Sequence, residues 1–200
     1  MIGKWNKSVI LTYIGLSISM LGIMLVIANI NIKYSFICLM FAGICDLFDG
    51  TIARRCKRTK EEKAFGIELD SLVDVISFIA LPLIILGRIN NKLYYLPVYI
   101  VYSIFAVARL AYFNIIVPND NKPVKYYEGL PVTYAALIFP IAFLLSYIIK
   151  ENIFTIIYNF IFLIISILFI LKIRFPKPKL FSSILLLMSA VIVTIIYLVV

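Results

Sequence analysis

The sequence predicts an all-α protein, a polytopic transmembrane helix bundle of about six core spans with a seventh span at the C-terminus. Three observations carry this. Of the 200 residues 64% are hydrophobic and only 14% charged, whereas soluble domains carry about a quarter charged residues. Apolar stretches of about 20 residues recur along the whole chain, each long enough to cross a hydrocarbon core of about 30 Å. The basic residues, finally, gather in alternate connections, as the positive-inside rule requires of a multi-pass protein.

The expected elements follow in chain order. Met1–Lys7 is a short amphipathic start. Residues 8–28 form an apolar run too long for a signal-peptide core, with no small-residue cleavage site after it, and so read as a retained helix. Further spans are expected at 34–52, 66–87, 93–116, 131–149, 153–171 and 180–200. "NINIK" and "GRINNK" read as tight external turns. "VPNDNKPVKYYEG" is the longest polar break, kept non-helical by Pro118, Pro123 and Gly129. "KIRFPKPK" is a basic, proline-containing stop before a last span that carries no charge from Leu180 to Val200. The whole chain, 1–200, reads as one integral-membrane catalytic domain, with a core at 8–180 and an extra C-terminal span at 180–200.

With the N-terminus in the cytoplasm, all of the 19 Lys and Arg residues except Lys33, Arg88, Lys92 and Lys150 fall on the cytoplasmic side. The net charge of +9 is therefore topological, with a secondary attraction to anionic headgroups, and does not indicate a nucleic-acid partner. The expected location is the cell membrane, with any active site facing the cytoplasm. Cys38, Cys45 and Cys56 show no CxxC spacing and read as small buried residues rather than as a disulfide framework or zinc site. There is no histidine. A general base must then be Asp, Glu, Lys, Tyr or a metal-bound water.

The stretch "CDLFDGTIARRCKRTKEEKAFGIELDSLVD" (Cys45–Asp74) sets four aspartates inside or against apolar segments. Asp46 and Asp49 are three apart and Asp70 and Asp74 four apart, so each pair shares a helix face. The two helices are neighbours joined by a cytoplasmic turn, and the faces can meet. Facing lipid, each acid would cost about 2.5–3.5 kcal/mol, roughly 10 kcal/mol for the four. Facing one another without cations, they could not all stay ionised. Divalent cations resolve both problems, and carboxylates without His or Cys make a hard oxygen site suited to Mg²⁺, Mn²⁺ or Ca²⁺. The plainer reading is a membrane-interface network in which the acids pair with Arg54, Arg55 and Lys57. Gly50, Ala53 and Gly66 flank the acids at helical spacing and leave room for a close neighbour, a backbone or a bulky ligand. Arg54 can meet a phosphate or pair with Asp49. Together these features suggest a pyrophosphate-bearing substrate.

The order D-x-x-D-G-x-x-A-R…G-x-x-x-D-x-x-x-D, present as Asp46, Asp49, Gly50, Ala53, Arg54, Gly66, Asp70 and Asp74, resembles the signature of the CDP-alcohol phosphotransferases (CDP-alcohol phosphatidyltransferase class I). These integral membrane enzymes join an alcohol to the phosphatidyl group of a CDP-linked lipid and release CMP. The resemblance implies that Asp46, Asp49 and Asp70 hold divalent metal, Mn²⁺ or Mg²⁺ and two ions, with Asp74 contributing and serving as the catalytic base. It implies that Gly50, Ala53, Arg54 and Gly66 admit and hold the CDP part, and that the protein is a homodimer. An alcohol is a poor nucleophile until a placed base accepts its proton. Eleven residues separate Arg54 from Gly66, a turn more than the pattern has.

For the acceptor, "ELDSLVDVISF" (Glu68–Phe78), "ARLAYFN" (Ala108–Asn114), "YYEGLPVTYAA" (Tyr126–Ala136) and "KIRFPKPK" resemble segments of the phosphatidylserine synthase branch. Val75 follows Asp74 where glycerol-phosphate branches carry lysine and inositol-phosphate branches arginine. Ile79 stands where that branch has glycine, and Tyr112 where arginine is common. The resemblance implies CDP-diacylglycerol and L-serine as substrates among membrane lipids, giving phosphatidylserine. Serine needs a cation for its carboxylate, for which Arg109 is the candidate, with Asn114 and Glu128 as orienting groups. Arg109 reads equally as a snorkelling surface residue, Glu128–Pro131 as a loop-to-helix start, and Tyr126 and Tyr127 as interfacial belt residues. Glycerol 3-phosphate or inositol phosphate as acceptor would recruit Lys122, Lys125, Lys172 and Arg174. A divalent-cation transporter is the reading from another class, but an ion pathway spreads its acids through the membrane depth, and these gather at one side.

Overall fold

The structure, a computed structural model, describes residues 3–116, 126–176 and 180–199. The bundle begins with a 3₁₀ turn, Lys7–Val9, capped by the Asn6 side chain, which accepts from the Ser8 N–H. Helix α1 (Ile10–Ile27) follows, then α2 (Ile32–Arg55), whose N-cap Asn31 accepts from the Lys33 N–H. Helix α3 (Lys60–Asp74) runs through a π-helical segment, Val75–Ala80, into α4 (Leu81–Ile89). Next come α5 (Leu96–Ile116), strand β1 (Tyr126–Glu128), α6 (Ala135–Phe143), α7 (Glu151–Ile170), strand β2 (Arg174–Pro176) and α8 (Leu180–Val199).

Five helical stretches among the described residues are long and apolar enough to cross a membrane: Lys7–Ile27, Ile32–Arg55, Lys60–Ile89, Leu93–Ile115 and Glu151–Ile170. Val132–Tyr147 and Leu186–Val199 are shorter apolar helices. The expected spans thus appear in order, with two extended ends. Helix α2 runs on to Arg55, past the expected limit at 52. Helix α3 starts at Lys60 instead of 66, because Thr59 and Glu62 form a capping box in which each side chain satisfies the other's backbone N–H. Residues 60–65, between Arg54 and Gly66, are therefore helical.

The helical chain has one departure. Strands β1 and β2 pair antiparallel, with Tyr126 opposite Pro176, Tyr127 opposite Phe175 and Glu128 opposite Arg174. The pairing joins "YYEGLP" to "KIRFPKPK", segments with no evident sequence link. Residues 117–125, including Pro118, Lys122, Pro123 and Lys125, and residues 177–179 lie outside the described residues, as do the side chains of Tyr126 and Tyr127.

Helix α1 turns small and polar residues inward. The buried face of α1 is Thr12, Gly15, Ser19, Gly22, Ile23 and Val26, while Ile10, Ile14, Met20, Leu21 and Met24 are exposed. Small residues let helix backbones approach. A Cβ on Gly22 would sit 2.9 Å from Cys38 Cβ, and one on Gly43 only 2.6 Å from Ala136 Cβ. The far half of the bundle is aromatic: Phe139 stacks on Phe162 with centroids 3.8 Å apart, and Tyr102, Tyr158 and Tyr197 are fully buried. Their hydroxyls satisfy carbonyls left over where helices change pitch. Tyr102 donates to Phe78 O (2.6 Å) in the π segment, and Tyr197 to Pro140 O (2.6 Å), where α6 tightens to 3₁₀.

Candidate active site

The aspartates come together as their spacing requires. Asp46 and Asp49 lie on the last turns of α2, Asp70 and Asp74 on the last turns of α3. One carboxylate oxygen each from Asp46, Asp49 and Asp70 falls within 4.8 Å of the others. Asp74 sits against Asp46, and Asp49 against Asp70. Asp49 and Asp74 are buried. From α1, Thr12 Oγ1 donates to Asp49 Oδ2 at 3.0 Å and fixes that side chain. Hard cations take oxygen ligands at about 2.0–2.6 Å, so oxygens this close can share one. The donor set fits a divalent ion. The arginine and lysine neighbours in sequence do not neutralise it: among the described residues Arg54, Arg55 and Lys57 make no ion pair with the four acids, and Arg54 Nη2 donates instead to Thr51 Oγ1 at 3.1 Å.

A cavity of about 510 Å³ opens beside the acids. Gly50, Ala53, Arg54 and Gly66 all line it. The two glycines differ from those at helix crossings. Among the described residues a Cβ on Gly50 would meet only Arg54 Nη1 at 3.8 Å, and one on Gly66 only Val9 Cγ1 at 3.8 Å and Arg58 Nη1 at 3.9 Å. Packing within the protein does not demand glycine there. What the missing side chains create is free volume next to the carboxylates.

A family model described as CDP-alcohol phosphatidyltransferase matches residues 5–196. The chain belongs to that family. A CDP-diacylglycerol–serine O-phosphatidyltransferase of Helicobacter pylori is 31% identical over 172 residues, 80% of this chain and 68% of that protein. A protein of the same name from Saccharomyces cerevisiae is 36% identical over 109 residues, 50% of this chain and 38% of that one. The archaetidylserine synthase of Methanothermobacter thermautotrophicus is 26% identical over 149 residues, covering 74% and 60%.

In this CDP-alcohol phosphatidyltransferase the acceptor candidates fare unequally. Arg109 of α5 is buried, lines the cavity and lies over the Phe113 ring, 5.0 Å from its centroid. It is near enough for its charge to act on Asp46 and Asp74. That placement removes the snorkelling reading. Asn114 also lines the cavity, and its Nδ2 donates to Ser71 Oγ at 2.8 Å. Glu128 does not reach the cavity. It is exposed, and its Oε2 accepts from Tyr112 Oη at 2.9 Å. Strand pairing with β2 holds its backbone, and Tyr112 uses its carboxylate, so the acceptor role expected for Glu128 has no geometric support. Ile79 packs in the core at 4% exposure, within the π segment.

The sequence reading overlooked Thr12, Arg58, Ser71 and Thr133, and also the apolar wall that Leu186, Leu187 and Ala190 of α8 supply to the cavity. A signal existed for Thr12. Ser8, Thr12, Gly15, Ser19 and Gly22 recur every three or four residues, a small and polar stripe in an otherwise aliphatic helix, which in a membrane marks the inward face. For α8 the primary structure carries no comparable mark.

Proposed function

We propose that this protein transfers the phosphatidyl group of CDP-diacylglycerol to the hydroxyl of L-serine, releasing CMP and phosphatidylserine, as one catalytic domain spanning residues 1–200. The observation that carries the reading is the meeting of four signature carboxylates with the buried cation Arg109 in one cavity. The names of the bacterial and yeast relatives support serine. Of the cations a phosphorylated acceptor would recruit, Lys172 and Arg174 do not line the cavity, and Lys122 and Lys125 lie outside the described residues.

Asp46, Asp49 and Asp70 would hold divalent metal, Mn²⁺ or Mg²⁺ as a pair of ions, with Asp74 as a further ligand. When bound there, such ions would supply charge neutralisation for the pyrophosphate and the departing CMP. Gly50, Ala53 and Gly66 leave the volume into which the CDP part fits, and Arg54 faces its phosphates. Asp74, buried and turned toward the cavity beside Asp46, accepts the proton of the serine hydroxyl. The serine oxygen then bonds to the β-phosphorus as the bond to the CMP oxygen breaks. Arg109 pairs with the serine carboxylate, and Asn114, held by Ser71, orients the amino acid. The apolar wall of Leu186, Leu187 and Ala190 suits the lipid part of the donor. The site faces the cytoplasm on the charge distribution, and a homodimer follows from the family resemblance alone.

Purified protein given CDP-diacylglycerol should release CMP with serine and divalent metal present. It should fall to background with chelator, and with glycerol 3-phosphate or inositol phosphate in place of serine. Faster release with either phosphorylated alcohol would overturn the choice of acceptor.

A further inference from the structure

Arg58 lies outside the family signature, in the connection between α2 and α3 where this chain is longer than the pattern. Two anchors hold that connection. On one side, the Thr59 N–H donates to Glu62 Oε2 at 2.7 Å and the Glu62 N–H to Thr59 Oγ1 at 3.2 Å. On the other, Asn6 Nδ2 donates to Lys57 O at 3.4 Å. Between them the half-buried Arg58 side chain turns inward and lines the cavity. Among the described residues no carboxylate lies within ion-pair distance of it, although Lys4, nearby on the surface, takes Glu61 at 2.7 Å. Its Nη1 stands 3.9 Å from the point a Cβ would occupy on Gly66, and Arg54 Nη1 stands 3.8 Å from the equivalent point on Gly50. Each signature glycine therefore has one guanidinium beside it, and the open volume lies between.

We infer that Arg58 is a phosphate-binding residue, the second arm of an arginine clamp with Arg54 on the phosphate groups of a nucleoside diphosphate. This rests on the proposed use of a CDP-linked donor. A guanidinium offers a planar fork of donors matched to phosphate oxygens, and a partly desolvated one without a protein carboxylate is poised for an external anion. The two arms come from different elements, so the clamp closes across the cavity mouth instead of along one helix.

The test is calorimetric binding of CDP, CMP and cytidine to the purified full chain with Mn²⁺, for wild type, Arg58→Gln and Arg58→Lys. Loss of a hydrogen bond to a charged group weakens binding by about tenfold or more. Arg58→Gln should lose that factor for CDP, less for CMP and nothing for cytidine, with an unchanged unfolding temperature. Arg58→Lys should recover part of it, as a point charge without the fork. Unaltered CDP affinity in Arg58→Gln, or an equal loss for cytidine, overturns the assignment while the nucleotide reading stands. Wild-type protein that binds no CDP overturns both.

Discussion

At Asp49 one carboxylate serves two neighbours: Oδ2 accepts from Thr12 while the group as a whole closes on Asp70. Such groups can all stay ionised only while cations sit among them. Replacing Asp46 or Asp70 by Asn keeps size and shape but removes a charged ligand, so metal-dependent CMP release should disappear while membrane insertion and expression persist; full turnover in either variant would contradict the metal assignment. The glycines supply a paired prediction. Gly50→Ala adds a methyl to open volume, so thermal stability should hold while the Michaelis constant for the CDP-lipid rises. Gly43→Ala would place its methyl 2.6 Å from Ala136 Cβ, and should cost about 1–3 kcal/mol of stability through overpacking. Thermal melts in detergent together with initial rates separate the two. Asp46, Asp49, Asp70 and Asp74 were legible in the sequence because helical period fixes which side chains share a face. Thr12 was less so, because its partner lies 37 residues away.

Among the elements, the connection from Glu128 to Leu130 shows most clearly what periodicity leaves out. Gly129 has φ +75°, and a Cβ there would lie 2.4 Å from Phe169 O. Its N–H donates to Ile173 O at 3.0 Å, and that of Leu130 to Leu168 O at 3.0 Å. Only glycine fits. Gly129→Ala should destabilise the protein by about 1–3 kcal/mol from backbone strain alone, with the clash adding to it, and should loosen the β1–β2 pairing. Hydrogen exchange at the backbone of 126–130 and 173–176 would show faster exchange, and unchanged protection would refute the role given to this turn. The helices themselves were legible from length and apolarity, whereas the three-residue strands were not, since pairs so short and so distant in sequence leave no alternation to read.

For the whole molecule, the positive-inside rule predicts which end of the bundle faces the cytoplasm. The acids, Arg54, Arg58 and Arg109 share one end of the bundle, and the Arg88 side chain bonds Asn29 Oδ1 at the other. With Cys38, Cys45 and Cys56 replaced by serine, a single cysteine in place of Lys150 should react with a membrane-impermeant maleimide in intact cells. One in place of Lys60 should react only after permeabilisation. The reverse pattern would invert the topology and move the site outside. Exposed Ile, Leu, Met and Phe side chains around the bundle, and small residues where helix backbones cross, are what a bilayer solvent selects.

By itself the sequence determined the class of protein, the order of the spans and the face on which the carboxylates meet. Each depends on local quantities: apolar length, charge sign and a helical repeat of 3.6 residues. Only the tertiary structure decided that Arg109 points into the cavity, that Glu128 turns away to Tyr112, that Arg58 hangs over Gly66, and that α8 walls the site. These depend on how distant helices pack, and packing is set by side-chain volumes summed over many contacts, a quantity that no single stretch of sequence contains.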